Sequence, residues 1–222
     1  VADLLDEARF DVVAGERLAS MLEQRQARPV RPDVSARFAG ISTVIADGVE
    51  SFFYKGDKTA VQRLTPIFDL GMNHPEVLVR RPDFADQIFQ AGMVLIRAYK
   101  NLEQEENARA VARLIIKRLP GLEPSPSTVP PDIIRFLRAQ RDQLERDTAQ
   151  LAVDMIDGDG CSAYINGSPI GTRPVKVAPG RPYFLTMDCG REAAPVWRLR
   201  VQQGQSLTVP LSHKDPLDFV MQ

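Results

Sequence analysis

Residues 161–180 read CSAYINGSPIGTRPVKVAPG, and this stretch decides the structural class of the C-terminal part of the chain. From Ser162 to Asn166 the side chains alternate with a period of two, which is typical of a half-buried strand. The pair Asn166-Gly167 then supplies two residues that tolerate positive φ, as a tight hairpin turn requires. The sequence therefore predicts a β-hairpin at this point.

Downstream of the hairpin, short alternating segments are separated by turn residues: RPYFLTMDCG at 181–190, VWRLRVQQG at 196–204 and QSLTVPL at 205–211. Five or six strands of a small antiparallel β-sandwich fit this pattern, and we place the second domain at residues 157–222. Its glycines and one proline are predicted to serve turns. These turn residues are Gly167, Gly171, Pro174, Gly180, Gly190 and Gly204.

The same segment resembles the PEGA family over about Cys161 to Leu211. The order is a strand ending in Asn-Gly, then SPIGTRP, a strand, Ala-Pro-Gly, and further strands closed by single glycines. The matching positions are Gly167, Gly171, Thr172, Pro174, Pro179, Gly180, Gly190, Gly204 and Leu211. The sequence departs at Arg181-Pro182-Tyr183 and by the insertion REAAPVW at 191–197. The resemblance implies a structural or attachment module of exported and surface proteins, whose glycines carry no chemistry.

Upstream, residues 1–156 are predicted to form an α-helical domain, because apolar positions recur every three or four residues. One amphipathic helix is expected over 2–25. A second begins with Asp33 as its N-cap and ends near Phe53. A tight turn follows, with Gly56 as the C-cap and Asp57 as the N-cap of a third helix. Helices joined so closely must pack antiparallel, which makes a helical hairpin.

A second hairpin is predicted from the apolar stripes of 84–99 and 108–115. PGLEPSPSTVPP at 120–131 contains too many prolines for a helix or a sheet interior, so we expect an extended connector there. A long helix over about 132–156 is predicted to lead into the second domain. The chain is thus expected to be multidomain, with an array of α-helical hairpins followed by a β-sandwich.

Residues 83–120 resemble a tetratricopeptide repeat. Leu95 and Tyr99 stand where that pattern has Leu and Tyr, Ala108 where it has a small residue, and Pro120 at its end. The departures are Ile96, Ala112 and Ile115. The resemblance implies a concave surface that holds a peptide or a helix of another protein, and a generic array of α-hairpins remains the alternative.

Aromatic residues at helical spacing in this part are interpreted as core rather than as the lining of a groove. They are Phe52, Phe53, Tyr54, Phe84 and Phe89.

The chain has two cysteines, Cys161 at the start of the first predicted strand and Cys189 at the end of the third. In a small sandwich these positions can come within bonding distance, so a disulfide is predicted, and two buried free thiols are the alternative. A disulfide indicates an oxidising compartment, which for this chain means the periplasm or cell envelope rather than the cytoplasm. The PEGA resemblance implies the same location.

Composition excludes several classes of function. Lys plus Arg total 28 and Asp plus Glu total 29, giving a net charge of −1, so nucleic acid is not expected as a partner. The longest apolar runs, such as AGMVLI at 91–96, are far shorter than the roughly 20 residues of a membrane span. The chain begins VADLLDEARF without Met, and we expect either a processed protein that has lost a signal peptide or lipid anchor, or a segment trimmed at its start.

The sequence also offers no constellation for catalysis or metal binding. His74 and His213 are far apart, and neither stands near another His or Cys. DMIDGDGC at 154–161 resembles part of a calcium loop, but the spacing of its aspartates is wrong and the terminal Glu is missing. A nucleophile with an oriented His, or a glycine-rich phosphate loop, does not stand out either. We therefore expect no enzyme activity, no metal and no cofactor.

These observations together predict a non-enzymatic protein-binding scaffold of a bacterial cell-envelope assembly that serves motility, secretion or surface structure. The first alternative is a glycan- or peptidoglycan-binding module, with Tyr164, Tyr183 and Trp197 exposed on one face. The second alternative is an enzyme with an unrecognised site between the domains, near the acidic junction of 154–159.

Overall fold

The structure is a computed structural model, and it describes residues 32–144, 149–155, 160–171, 173–190 and 195–211. Helices occupy the described chain up to Leu144, and strands follow from Ala149. The predicted order, helices first and sheets second, is confirmed. The helix predicted over 2–25 lies outside the described residues, as do His213, Asp157 and Asp159.

The helices are α1 (Pro32–Arg37), α2 (Ile41–Tyr54), α3 (Asp57–Asn73), α4 (Pro75–Leu78), α5 (Pro82–Asn101), α6 (Glu105–Arg118) and α7 (Pro131–Leu144). Helices α2 and α3 pack on each other across the turn at Gly56, whose φ of 87° confirms the predicted reversal. The predicted second helix is interrupted at Gly40, where φ is 74°, so it consists of α1 and α2. The proline-rich connector at 120–131 contains no helix or strand before α7 begins, as predicted.

The predicted long helix over 132–156 is wrong in its second half. Helix α7 ends at Leu144, and residues 149–155 form strand β1. Ala149 and Leu151 are buried, while Gln150 and Asp154 are exposed. Alternate side chains of this segment therefore lie on opposite faces of a sheet, and one of these faces is buried. The change from helix to strand therefore falls between 144 and 149 rather than at 156. We call the described residues up to 144 the helical part and those from 149 to 211 the β part.

The remaining strands are β2 (Ser162–Ile165), β3 (Ser168–Ile170), β4 (Val175–Val177), β5 (Pro182–Asp188), β6 (Trp197–Arg200) and β7 (Ser206–Leu211). They form one sheet with the order β4-β1-β7 and another with the order β3-β2-β5-β6. The second sheet is antiparallel, but β1 pairs with β7 in parallel. The predicted wholly antiparallel sandwich is thus corrected to one antiparallel and one mixed sheet.

Each part has its own hydrophobic core. The helical core is centred on α3, α5 and α6, and its fully buried members include Phe68, Ile88, Leu95 and Ile115. The β core lies between the sheets and includes Leu151, Ile165, Leu185, Met187 and Leu211. Because the cores are separate, the contact between the two parts depends on a small number of specific side chains and turns.

Candidate functional site

The β2–β3 hairpin turn lies directly on the helical part. Asn166 and Gly167 have φ angles of 50° and 83°, so the hairpin turn predicted from Asn-Gly is confirmed. A Cβ on Gly167 would lie 2.4 Å from the carbonyl oxygen of Leu78 in α4 and 2.6 Å from the Cβ of Ala85 in α5. Since both separations are far below van der Waals contact, only glycine fits at this point of the interface.

The side chain of Asn166 joins the turn to the end of α6. It is completely buried, and its Nδ2 donates a hydrogen bond to the carbonyl oxygen of Arg118 at 2.9 Å. Its Oδ1 accepts a hydrogen bond from the backbone N–H of Phe184 in β5, also at 2.9 Å. The last carbonyls of a helix have no partner within it, so Asn166 caps α6 from the β part.

Tyr183 makes a second contact with the same helix end. Its ring is 1% exposed, and its hydroxyl accepts a hydrogen bond from the backbone N–H of Ala178 at 2.8 Å. The hydroxyl also lies 3.1 Å from the carbonyl oxygen of Ala178 and 3.3 Å from that of Lys117, so its proton can be donated to either. Burial raises the pKa of Tyr183, while the backbone N–H of Ala178 and the positive charges of Arg181 and Arg118 act in the opposite direction.

A cavity of about 430 Å³ opens beside this contact. Its walls come from the ends of α6 and α7, the start of the connector, β4 and the turn after β4. Three separate segments of the chain therefore meet around it, two helical and one from the β part. We call this space the junction cavity.

Among the described residues that line the junction cavity, the charged side chains are all basic: Lys117, Arg141, Lys176 and Arg181. Among its described lining residues there is no Asp, Glu, His, Cys or Ser. Arg141 forms an ion pair with Glu123 in the connector, which partly offsets its charge. The cavity is thus a local concentration of positive charge on a chain whose net charge is −1.

Arg118, next to Lys117, adds to this positive potential. Its Nε is buried and has no hydrogen-bond partner in the part of the chain that the structure describes. Burial lowers the pKa of Arg118, and the positive charge of Arg181 lowers this pKa further, while Tyr183 and Glu76 act in the opposite direction. The guanidinium groups of Arg118 and Arg181 therefore repel each other, and of these two only Arg181 lines the junction cavity.

A different surface feature lies at the C-terminal end of α2. Phe53 and Tyr54 are 66% and 81% exposed, and Phe52, which is half-buried, contacts Phe53 edge-to-face with ring centroids 5.2 Å apart. We call these residues the aromatic end of α2. The prediction that all the helical aromatics are core is wrong for Phe53 and Tyr54, whereas Phe84 and Phe89 are buried.

No family model, curated protein or solved structure matches the chain. The two candidate functional features of the chain are therefore the junction cavity and the aromatic end of α2.

The predicted disulfide between Cys161 and Cys189 is present in the structure. It joins the residue before β2 to the residue after β5. These two strands are already paired side by side in one sheet, with Ser162 opposite Asp188. The disulfide thus closes the outer end of the β part, away from the helical part.

The exposed aromatic face that the glycan-binding alternative requires in the β part is not formed. Tyr183 and Trp197 are 1% and 7% exposed, and Tyr164 is half-buried. Tyr183 instead serves the contact with α6, and Trp197 packs in the β core. Tyr183 and Trp197 are therefore not available as an exposed glycan-binding face, because both side chains pack inside the fold.

The predicted turn residues mostly have backbone conformations that glycine favours. Gly180, Gly190 and Gly204 have φ near 70°, whereas Gly171 is not among the glycines with positive φ. Pro174 directly precedes β4.

In the described ranges, no group of three or more His, Cys, Asp or Glu is placed to hold a metal ion. The helices described are all too short or too polar to cross a membrane.

Proposed function

We propose that the protein is a non-enzymatic, protein-binding scaffold of a bacterial cell envelope, and that it binds its partner at the aromatic end of α2. The helical part would act as a tetratricopeptide-like array, and the β part as a PEGA-like module that braces it. The observation that carries the proposal is the exposure of Phe53 and Tyr54 beside each other. Large aromatic side chains are enriched at protein interfaces because they supply apolar area at a low cost in conformational entropy.

A cation–π contact supports the aromatic end of α2 from the neighbouring helix α5. The guanidinium of Arg97 in α5 lies 5.0 Å from the centroid of the Phe52 ring. This cation–π contact orients Phe52, and Phe52 in turn packs against Phe53. The ring of Phe53 is thus held in place before any partner arrives, which reduces the entropy lost on binding.

The assignment to the envelope rests on the disulfide and on the PEGA resemblance. Disulfides persist in oxidising compartments and are rare in the reducing cytoplasm. The bond between Cys161 and Cys189 therefore supports an exported protein. We propose the periplasm or cell envelope as its location, in an assembly that serves motility, secretion or surface structure.

The β part supports the binding surface by holding the helical part in one arrangement. Asn166 and Tyr183 bond the end of α6, and Gly167 fits against α4 and α5. Helix α5 in turn packs on α2, the helix that carries the exposed rings. A partner bound at the aromatic end of α2 would therefore be connected to the β part through α5.

Site-specific photocrosslinking in the native host tests the proposed surface. We expect a photoreactive phenylalanine analogue at position 54 to form a covalent adduct with a protein, because the Tyr54 side chain is exposed. The same analogue at the exposed position of Arg63 in α3 is the matched control and should give no adduct. Equal crosslinking at both positions, or none at either, would contradict the proposal.

The composition of the adduct separates the proposal from the glycan alternative. An adduct with a protein partner should be digested by a protease and should resist a muramidase. An adduct with peptidoglycan should be digested by the muramidase. The double variant F53S/Y54S should abolish the contact while changing the free energy of unfolding by less than about 0.5 kcal/mol, as expected for exposed positions. The glycan alternative has lost its main support, since Tyr183 and Trp197 are buried.

A further inference from the structure

The junction cavity combines two kinds of wall. Ile116, Leu144, Val175 and Val177 give it an apolar surface, and the basic side chains of Lys117 and Arg181 lie at the same space. Its volume of about 430 Å³ falls within the range typical of sites for small organic ligands, roughly 300–1,000 Å³. Such sites are commonly apolar with a few polar groups that fix the orientation of the ligand.

The described residues bring basic side chains from three segments of the chain to one space, which favours an anion there. Like charges brought together cost free energy, and here lysine and arginine side chains from α6, α7 and the β part converge. Glu123 compensates Arg141, but it stands outside the lining of the cavity. The buried Nε of Arg118 has no hydrogen-bond partner among the described residues, so it adds an unsatisfied donor at the same helix end. An anion in the cavity would offset this repulsion.

We infer that the junction cavity binds a small organic anion, with a phosphate or carboxylate group at Lys117 and Arg181 and an apolar body against Ile116, Leu144 and Val175. This inference is independent of the partner surface at α2. Guanidinium and ammonium groups form charge-assisted hydrogen bonds with both kinds of anion. Because Lys117 and Leu144 belong to the helical part and Arg181 to the β part, the ligand would contact both parts of the protein at once.

Calorimetric titration with phenyl phosphate tests the inference, since this probe has an anionic group on an apolar ring. Benzyl alcohol has the ring without the charge, and inorganic phosphate has the charge without the ring. We expect phenyl phosphate to bind at least about tenfold more tightly than either control, because each control lacks one of the two kinds of contact. Equal or weaker binding of phenyl phosphate would overturn the inference.

Variants locate the binding. The double variant K117Q/R181Q should weaken the affinity for phenyl phosphate by about tenfold or more, since each lost charge removes a charge-assisted hydrogen bond. Arg113→Gln is the matched control, because Arg113 is an exposed residue of the same helix α6 and does not line the cavity. If R113Q weakens binding as much as the double variant, the binding is a non-specific charge effect and the inference is wrong.

A measurement on the unaltered protein keeps the test decisive even if the double variant does not fold. Raising the salt concentration should weaken the binding of phenyl phosphate and leave that of benzyl alcohol unchanged. Salt-independent binding of phenyl phosphate would overturn the inference. Once binding is established, displacement by phosphatidic acid vesicles would place the natural anion on a lipid, and failure of the vesicles to compete would place it on a soluble molecule.

Discussion

Replacement of Gly167 by alanine is expected to lower the free energy of unfolding by about 2–5 kcal/mol. A non-glycine residue at the φ of 83° is itself strained. The added Cβ would also lie 2.4 Å from the carbonyl oxygen of Leu78 and 2.6 Å from the Cβ of Ala85, so the turn would have to move away from α4 and α5. Chemical denaturation followed by circular dichroism measures the loss.

Gly180→Ala is the matched control for this substitution. Gly180 has a similar φ of 74°, but a Cβ there would meet nothing within 4 Å. The control should therefore cost only the backbone strain, about 1–2 kcal/mol. The difference between the two variants measures the close contact between the hairpin and the helical part. Equal losses would mean that this contact is looser in solution than in the structure.

Removal of the disulfide by C161S/C189S is expected to lower the free energy of unfolding by about 3–4 kcal/mol in the chain-entropy model. The sequence separation of 28 between Cys161 and Cys189 sets the size of the loop that the bond closes in the unfolded chain. The loss should appear as a lower denaturation midpoint of the double variant, compared with the unaltered protein under non-reducing conditions.

Two comparisons make the disulfide prediction specific. Reduced unaltered protein should unfold at the same midpoint as C161S/C189S, because both lack the bond. Protein taken from its native compartment, unfolded without reductant and treated with an alkylating agent, should gain no mass at either cysteine. Alkylation at both, together with an unchanged midpoint after reduction, would contradict the disulfide and remove the support that it gives to an exported protein.

The sequence predicted those elements whose signals are local. Asn166-Gly167 and Gly56 predicted turns because few other residues accept positive φ. The change from a period of three and four to a period of two predicted the order of helices and sheets. In these cases a few neighbouring residues determine the conformation, and the rest of the fold has only to accommodate it.

Two predictions were wrong although the sequence also carried a signal for the correct structure: the helix over 149–155 and the burial of Phe53 and Tyr54. Leu144, Leu151 and Met155 fit a helical stripe, which concealed the alternation Ala149, Leu151, Val153, Met155 that marks β1. Phe52, Phe53 and Tyr54 are consecutive, and successive helical residues are about 100° apart, so three in a row cannot all face one core. The helical spacing therefore predicts that at least one of the three is exposed, although it does not say which.

The junction cavity had no signal in the sequence. Lys117, Arg141 and Arg181 lie in three distant segments, and each is an ordinary basic residue in its local context. The same holds for Asn166, whose role as a turn residue was evident but whose hydrogen bond to Arg118 depends on how the two parts pack. Such contacts are determined by tertiary structure, which the local pattern of residues does not contain.

The central claim, that the β part braces the helical part as one structural unit, is tested most directly by denaturation with two probes. Far-ultraviolet circular dichroism reports mainly on the helical part, and Trp197, the single tryptophan, reports on the β core in which it is buried. We predict that both signals change at the same urea concentration, because Asn166, Tyr183 and Gly167 couple the two parts. Two separate midpoints would show that the parts unfold independently and would contradict the account.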